Sequence, residues 1–168
     1  MGVALLHRTS ATDRKRGLEL LEQLRDMCLD EVYYLSILHF CEVYIACERA
    51  RRGDRAGALP LLRSAVDGMI NTGHLGPFIP GTGVLVETLL VRGGEDDVCE
   101  AEAAIDRLAS VRFDDHLAVR EIWLLRSRAL LARAQGADTA YRDCRDRYRA
   151  MATSLGYEGH IAWAEAMP

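Results

Sequence analysis

The sequence predicts an all-α fold, an array of stacked antiparallel helical hairpins, and three observations carry that expectation. Four aspartates, Asp13, Asp54, Asp97 and Asp138, recur at spacings of 41, 43 and 41 residues, each heading an amphipathic segment. A period near forty marks helical pairs that bury their faces only by stacking on their neighbours. Cationic residues followed by glycine stand ahead of the last three aspartates, as at Arg51-Arg52-Gly53, which suits a helix end and an immediate restart. No alternating Val/Ile/Thr run survives beyond a few residues, so strands are not expected.

Taken in order, the first helix is expected over 12–29, where Gly17, Leu21 and Leu24 lie four, eight and eleven residues past Asp13. Small, large, large at i, i+4 and i+7 is one helix face, and the small member admits a neighbouring helix closely. A second helix over 32–52 ends at Gly53, and Asp54 opens a third over 54–71 with Ala58, Leu62 and Ala65 in the same register. From Asn71 to Gly83 the residues Gly73, Gly76, Pro77, Pro80, Gly81 and Gly83 interrupt the apolar pattern, and this stretch reads as a loop. A fourth helix over 79–92 stops at Gly93-Gly94, and 96–110 repeats the face as Ala101, Ile105 and Leu108. A helix over 116–135 ends at Gly136. In the next, 138–155, Arg142, Asp146 and Arg149 occupy the repeat offsets, so the stripe shifts to Tyr141, Cys144, Tyr148, Met151 and Leu155. The last helix, 157–167, is expected to cap that stripe, with Gly156 permitting the turn into it. Each of the last three aspartates is expected to accept bonds from the unpaired N–H groups of the helix it heads. The whole of 1–168 reads as one helical-repeat domain of about four hairpin units.

Composition sets further bounds. With 168 residues, 49% of them hydrophobic, and a net charge of −4, the chain can bury a continuous core and has no general affinity for nucleic acid or an acidic membrane. No apolar run approaches a bilayer-spanning length and no signal-peptide h-region opens the chain, so a cytoplasmic location is expected, with no membrane partner. The five cysteines, an odd number inside helical patterns, suit reduced core thiols. The basic residues are twenty arginines and one lysine, Lys15. A phosphate loop of the G-x-x-x-x-G-K-[ST] type needs a lysine in that frame, and Asp13-Arg14-Lys15-Arg16-Gly17 does not supply it.

The remaining candidates for chemistry read as structure. His39 and Cys41 point about 200° apart on a helix, and neither completes a metal set with Cys47. His160 with Glu158 and Trp163 has the residue types of an oriented base, yet His160 and Trp163 are i,i+3 neighbours suited to helix packing. Pro80-Gly81-Thr82-Gly83 lacks the strand and the full glycine pattern of a phosphate cradle. Asp138–Arg142 and Asp143–Arg147, at i,i+4, read as a self-paired solvated face. No catalytic, cofactor-binding or metal-ligating residue is therefore expected; the positions singled out are the repeat positions Ala58, Leu62, Ala65, Ala101, Ile105 and Leu108.

Gly53-Asp54-Arg55-Ala56-Gly57-Ala58-Leu59-Pro60-Leu61-Leu62 resembles the turn and second helix of a tetratricopeptide repeat. The unit is longer than the usual repeat, and Glu42 and Ala46 stand where that family has an aromatic residue and a glycine, so the fold is described as a tetratricopeptide-like α-solenoid. The string Ala152-Thr153-Ser154-Leu155-Gly156-Tyr157-Glu158-Gly159-His160-Ile161-Ala162-Trp163 is similar to the end of large actinobacterial, mycobacterial-type proteins that join a class III adenylate cyclase domain and a signal-transduction ATPase to a long tetratricopeptide-like region. That resemblance implies a regulatory scaffold whose partner is another protein or the upstream cyclase and ATPase domains, with a homo-oligomer also open. No cyclase or ATPase residues carry over. Val3 to Arg8 reads as the last turns of a helix whose body is missing, which suits a fragment of a larger protein. The alternative is a small-molecule effector sensor, which needs an apolar pocket with a few convergent polar groups.

Overall fold

A computed structural model describes residues 1–30, 35–111 and 117–167. Among the described residues every regular element is a helix: α1 (Gly2–Leu6), α2 (Ala11–Asp30), α3 (Leu35–Arg51), α4 (Arg55–Asn71), α5 (Leu75–Arg92), α6 (Glu95–Ser110), α7 (Ala118–Ala134), α8 (Asp138–Leu155) and α9 (Glu158–Glu165). The eight helices expected become nine among the described residues because Gly2–Leu6 forms a turn and a half of its own. The expected helix starts at 32 and 116 lie outside the described residues. By compactness the chain divides into Met1–Thr88 and Leu89–Pro168, the division falling within α5. In each unit, helices adjacent in sequence pack on one another, the neighbour-to-neighbour arrangement of an α-solenoid.

In the first unit, α1 lies directly on α2. A Cβ built on Gly17 would stand 2.7 Å from the Gly2 carbonyl oxygen and 2.9 Å from Leu5 Cβ, so a glycine at this repeat position lets two backbones touch. Leu6, Leu21, Cys41 and Ile45 then form one buried cluster linking α1, α2 and α3. Leu24, expected on the same face as Gly17 and Leu21, is instead 38% exposed, because α1 covers only the start of α2 and the buried stripe continues through Cys28. In α3, the buried residues Leu38, Cys41, Val43, Ile45, Ala46 and Glu48 cover more than half the circumference. Its neighbour α4 is amphipathic, with Ala58, Leu62 and Ala65 wholly buried on one side and Pro60 on the exposed side, where the Ala56 carbonyl that Pro60 cannot serve is left to water.

The Asn71–Gly83 loop is not a loop. From Leu75 onward it is α5. Pro77 stands in the first turn, where no intrahelical N–H is needed, and Pro80 forfeits only a bond to the carbonyl of Gly76, an exposed residue. Glycine inside a helix costs about 1 kcal/mol relative to alanine. Gly81 offsets that by close packing: a Cβ there would lie 3.3 Å from Val43 Cγ2 and 3.6 Å from Met69 Sδ. Phe78, Ile79, Thr82, Leu85 and Val86 are all buried around it, and that burial outweighs the local propensity.

In the second unit α6 buries Ala101, Ala104, Ile105 and Leu108. The next helix, α7, is buried at six successive residues, Ile122 to Ser127, and so is enclosed all round. In α8 the rotated stripe runs through Tyr148 and Ala152 with Tyr141, Cys144 and Met151 partly covered. Leu155, placed on that stripe from the sequence, is 36% exposed because Gly156 turns the chain away at that point.

The turns repeat one geometry. Gly53, Gly73, Gly136 and Gly156 have φ of +97°, +72°, +70° and +66°, and at each the next residue's N–H bonds back five residues, as Asp54 N to Arg49 O at 3.1 Å and Ala137 N to Ala132 O at 2.8 Å. This is the six-to-one bond of a Schellman cap, and only glycine adopts the left-handed backbone without strain.

Candidate functional site

The sequence-derived positions fall in the interior of each unit. Ala58, Leu62 and Ala65 of α4 and Ala101 and Leu108 of α6 are wholly buried, and Ile105 is 3% exposed. They are packing residues, three in each of the two units.

The four aspartates that set the repeat have four different roles. Asp54 is a true N-cap, its Oδ1 accepting from Gly57 N at 2.9 Å. Asp97 lies three residues inside α6 and reaches back to Gly94 N at 3.0 Å while holding Arg92 Nε at 2.7 Å. Asp13 is in the first turn of α2; there Ser10 Oγ accepts from Asp13 N at 3.3 Å, and the Asp13 carboxylate faces Arg8 at 3.6 Å. Asp138 begins α8 after Ala137, an N-cap whose side chain makes no capping bond. Helix starts shift by one to three residues between units, so a fixed spacing in sequence does not preserve the cap. Arg142 donates to the Asp138 backbone carbonyl at 3.3 Å, whereas Asp143 and Arg147 pair through their side chains at 3.4 Å.

Cys28, Cys41 and Cys144 are unsuited to nucleophilic work. All five are reduced; Cys28 and Cys41 are buried, Cys47 and Cys144 partly so, and Cys99 is exposed on α6, which corrects the expectation of five core thiols. Burial pushes the Cys41 thiol up to about 11, with Cys28 and Glu42 adding to the effect and Arg25 opposing it. Burial likewise raises Cys28 and Cys144. A protonated thiol is a poor nucleophile and a poor metal ligand. His39 turns to the other side of α3 from Cys41: its Nδ1 lies 3.2 Å from Glu42 Oε2, and its ring lies against Gly68 of α4, where any Cβ would collide with it.

Two polar clusters remain. Glu48 of α3, 3% exposed in its side chain, faces Arg51 at 2.6 Å, Arg52 at 2.9 Å and Arg14 of α2 at 3.9 Å, while Arg51 also donates to the Leu6 carbonyl at 2.8 Å. It ties α1, α2 and α3 together. At the start of α6 a shallow recess of about 460 Å³ is lined by Arg92, Gly94, Glu95, Asp96 and Asp97. Its guanidinium is already paired with Asp97, and its other side chains are anionic, so the helix N-terminus there repels a phosphate rather than binding one.

The most elaborate grouping of side chains lies where α9 meets α7 and α8. The chain has two tryptophans. Both stack edge-on around one imidazole: Trp123 and Trp163 ring centroids are each 5.1 Å from that of His160 and 5.6 Å from each other. The guanidinium of Arg126, in a residue 6% exposed, sits 4.8 Å from the Trp163 ring and 5.8 Å from that of Trp123. Tyr148 Oη lies 2.9 Å from His160 Nδ1, and Arg149 donates to the Ala164 carbonyl at 3.3 Å. Burial, then the nearby charge of Arg126, pulls His160 down to about 4, so the ring is neutral at neutral pH. Glu158, the imagined orienting carboxylate, is exposed. The partners of His160 are therefore rings and a phenol, which hold a helix in place. Sequence reasoning paired His160 with Trp163 but missed Trp123, Arg126 and Tyr148; the i,i+3 spacing of Trp123 and Arg126 was the available signal.

Among the described residues no group of three His, Cys, Asp or Glu side chains is placed to hold a metal, and no helix is long and apolar enough to cross a membrane. No known protein family, curated protein or solved structure matches the chain.

Proposed function

We propose that this chain is a non-catalytic, tetratricopeptide-like scaffold and regulatory module that mediates protein–protein contact within a cytoplasmic cyclase/ATPase signalling protein. The observation that carries the reading is the α3–α4 hairpin. A left-handed Gly53, the Asp54 cap, and the buried Ala58, Leu62 and Ala65 support the likeness of this stretch to the turn and second helix of a tetratricopeptide repeat. A hairpin of this kind spends its polar chemistry on its own ends and leaves its outer surfaces for a partner. The Arg92–Asp97 recess lacks the apolar walls of a metabolite site.

The test is direct binding. Purified chain is titrated by calorimetry against recombinant cyclase and ATPase domains of the resembling proteins, with cyclase turnover followed in parallel. Saturable one-to-one binding, or a change in turnover on addition of the chain, is expected. No heat with either domain and no change in turnover would defeat the proposal, and heat with nucleotides or small metabolites alone would favour the sensor.

A further inference from the structure

We infer that α9 is exchangeable between two copies of this chain, each supplying the helix that fills the groove between α7 and α8 of the other. The helix has eight residues, too few to persist unsupported in water, so it exists only where it is docked. Its contacts are self-contained. Tyr148 meets His160, Arg149 meets the Ala164 carbonyl, Trp123 and Arg126 meet Trp163, and Ala164 is wholly buried. These receiving side chains belong to α7 or α8, and Tyr157, whose ring centroid is 6.2 Å from that of His160, travels with α9. A second copy's α9 finds the same partners, so closed and exchanged forms differ mainly in the hinge and in the entropy of association.

The hinge is two residues, Gly156 and Tyr157, and closure depends on one torsion: Gly156 at φ +66°, followed by Tyr157 N bonding Ala152 O at 3.1 Å. No atom lies within 4 Å of a Cβ built on Gly156. A substitution there therefore acts on backbone preference alone, favouring continuation of α8 over the reversal. A short hinge whose reversal a side chain has strained is the setting in which exchange replaces closure. Leu155 and Tyr157, on either side of Gly156, are 36% and 37% exposed, apolar surface that a second copy could cover in the exchanged pair.

The experiment follows the mass of the full chain by light scattering after gel filtration over a concentration series. Gly156→Ala is expected to strengthen dimerisation about tenfold per hinge and so about a hundredfold per dimer. The double variant Gly156→Ala/Trp163→Ala is expected to return to monomer, because the exchanged helix has lost its anchor. A Gly156→Ala chain that stays monomeric with α9 docked would overturn the inference. A dimer that persists undiminished in the double variant would also overturn it, since another surface would then be responsible. If Gly156→Ala does not fold, deletion of Tyr157, which shortens the hinge so that α9 cannot close on its own groove, is judged by the same two outcomes.

Discussion

Acidification should loosen the second unit through His160, and the magnitude follows from its surroundings. An ordinary imidazole titrates near 6.5, and this one near 4, because the ring is half-buried among Trp123, Tyr148 and Trp163 with the Arg126 charge close by. A lowered folded value means that the unfolded chain binds the proton more readily. Stability from this group is then complete above about pH 6.5, declines as pH falls toward 4, and is flat below. At 1.36 kcal/mol per pK unit the limiting loss is about 3 kcal/mol, and at pH 5 it is about 2 kcal/mol. Partial solvent access to the ring screens the charge and brings the expectation at pH 5 to about 1 kcal/mol. Urea unfolding followed by tryptophan fluorescence suits the measurement, since both tryptophans border His160. Carboxylates titrate over part of the same range, so the quantity to compare is the difference between wild type and His160→Phe. The variant keeps a ring, loses the proton site, and removes the Tyr148 Oη–His160 Nδ1 hydrogen bond at a cost that does not vary with pH. Wild type should lose about 1 kcal/mol more than the variant between pH 7 and pH 5. Parallel stability profiles would refute the account of His160.

Three further outcomes are expected. Gly17→Ala should drive α1 off α2, because its Cβ would meet the Gly2 carbonyl and Leu5; a loss of roughly 1–3 kcal/mol is expected, with fast hydrogen exchange at residues 2–6. Ala58→Leu, at a wholly buried position of α4, should cost roughly 1–3 kcal/mol by overpacking, and an unchanged urea midpoint would mean that the repeat register is wrong. Asp54→Ala should cost about 1 kcal/mol by removing the bond to Gly57 N, while Asp138→Ala, which removes no capping bond of Ala137, should cost less; equal losses in thermal melts would contradict the assignment of caps.

Helix identity and the turns were legible because they rest on local chemistry. Gly53, Gly136 and Gly156 end their helices in the left-handed conformation as read from Arg-Gly runs and from the Gly before Tyr157. The amphipathic face of Ala58, Leu62 and Ala65 follows from 3.6-residue periodicity alone. Two kinds of feature escaped that reasoning. In α5 the residues Phe78, Ile79, Thr82, Leu85 and Val86 already carry a helical period, but Pro77, Pro80 and Gly81 were weighed as breakers. Whether a glycine breaks a helix or seats it against Val43 and Met69 is decided by what stands opposite, and that is set by residues more than ten positions away.

The His160 cluster shows the same division. Sequence determined that residues 157–167 would be helical only if docked, because the segment is short and carries Ile161, Trp163 and Met167. Only the tertiary structure decided what receives it: Trp123 and Arg126 lie more than thirty residues upstream, and their i,i+3 spacing pairs them with each other without showing that they meet Tyr148 on one imidazole. Backbone preferences act over a few residues and can be summed along the chain. Burial and charge depend on neighbours that only the packed helices bring together, so the neutral His160, the enclosed Arg126 and the exposed Leu24 were outcomes of packing.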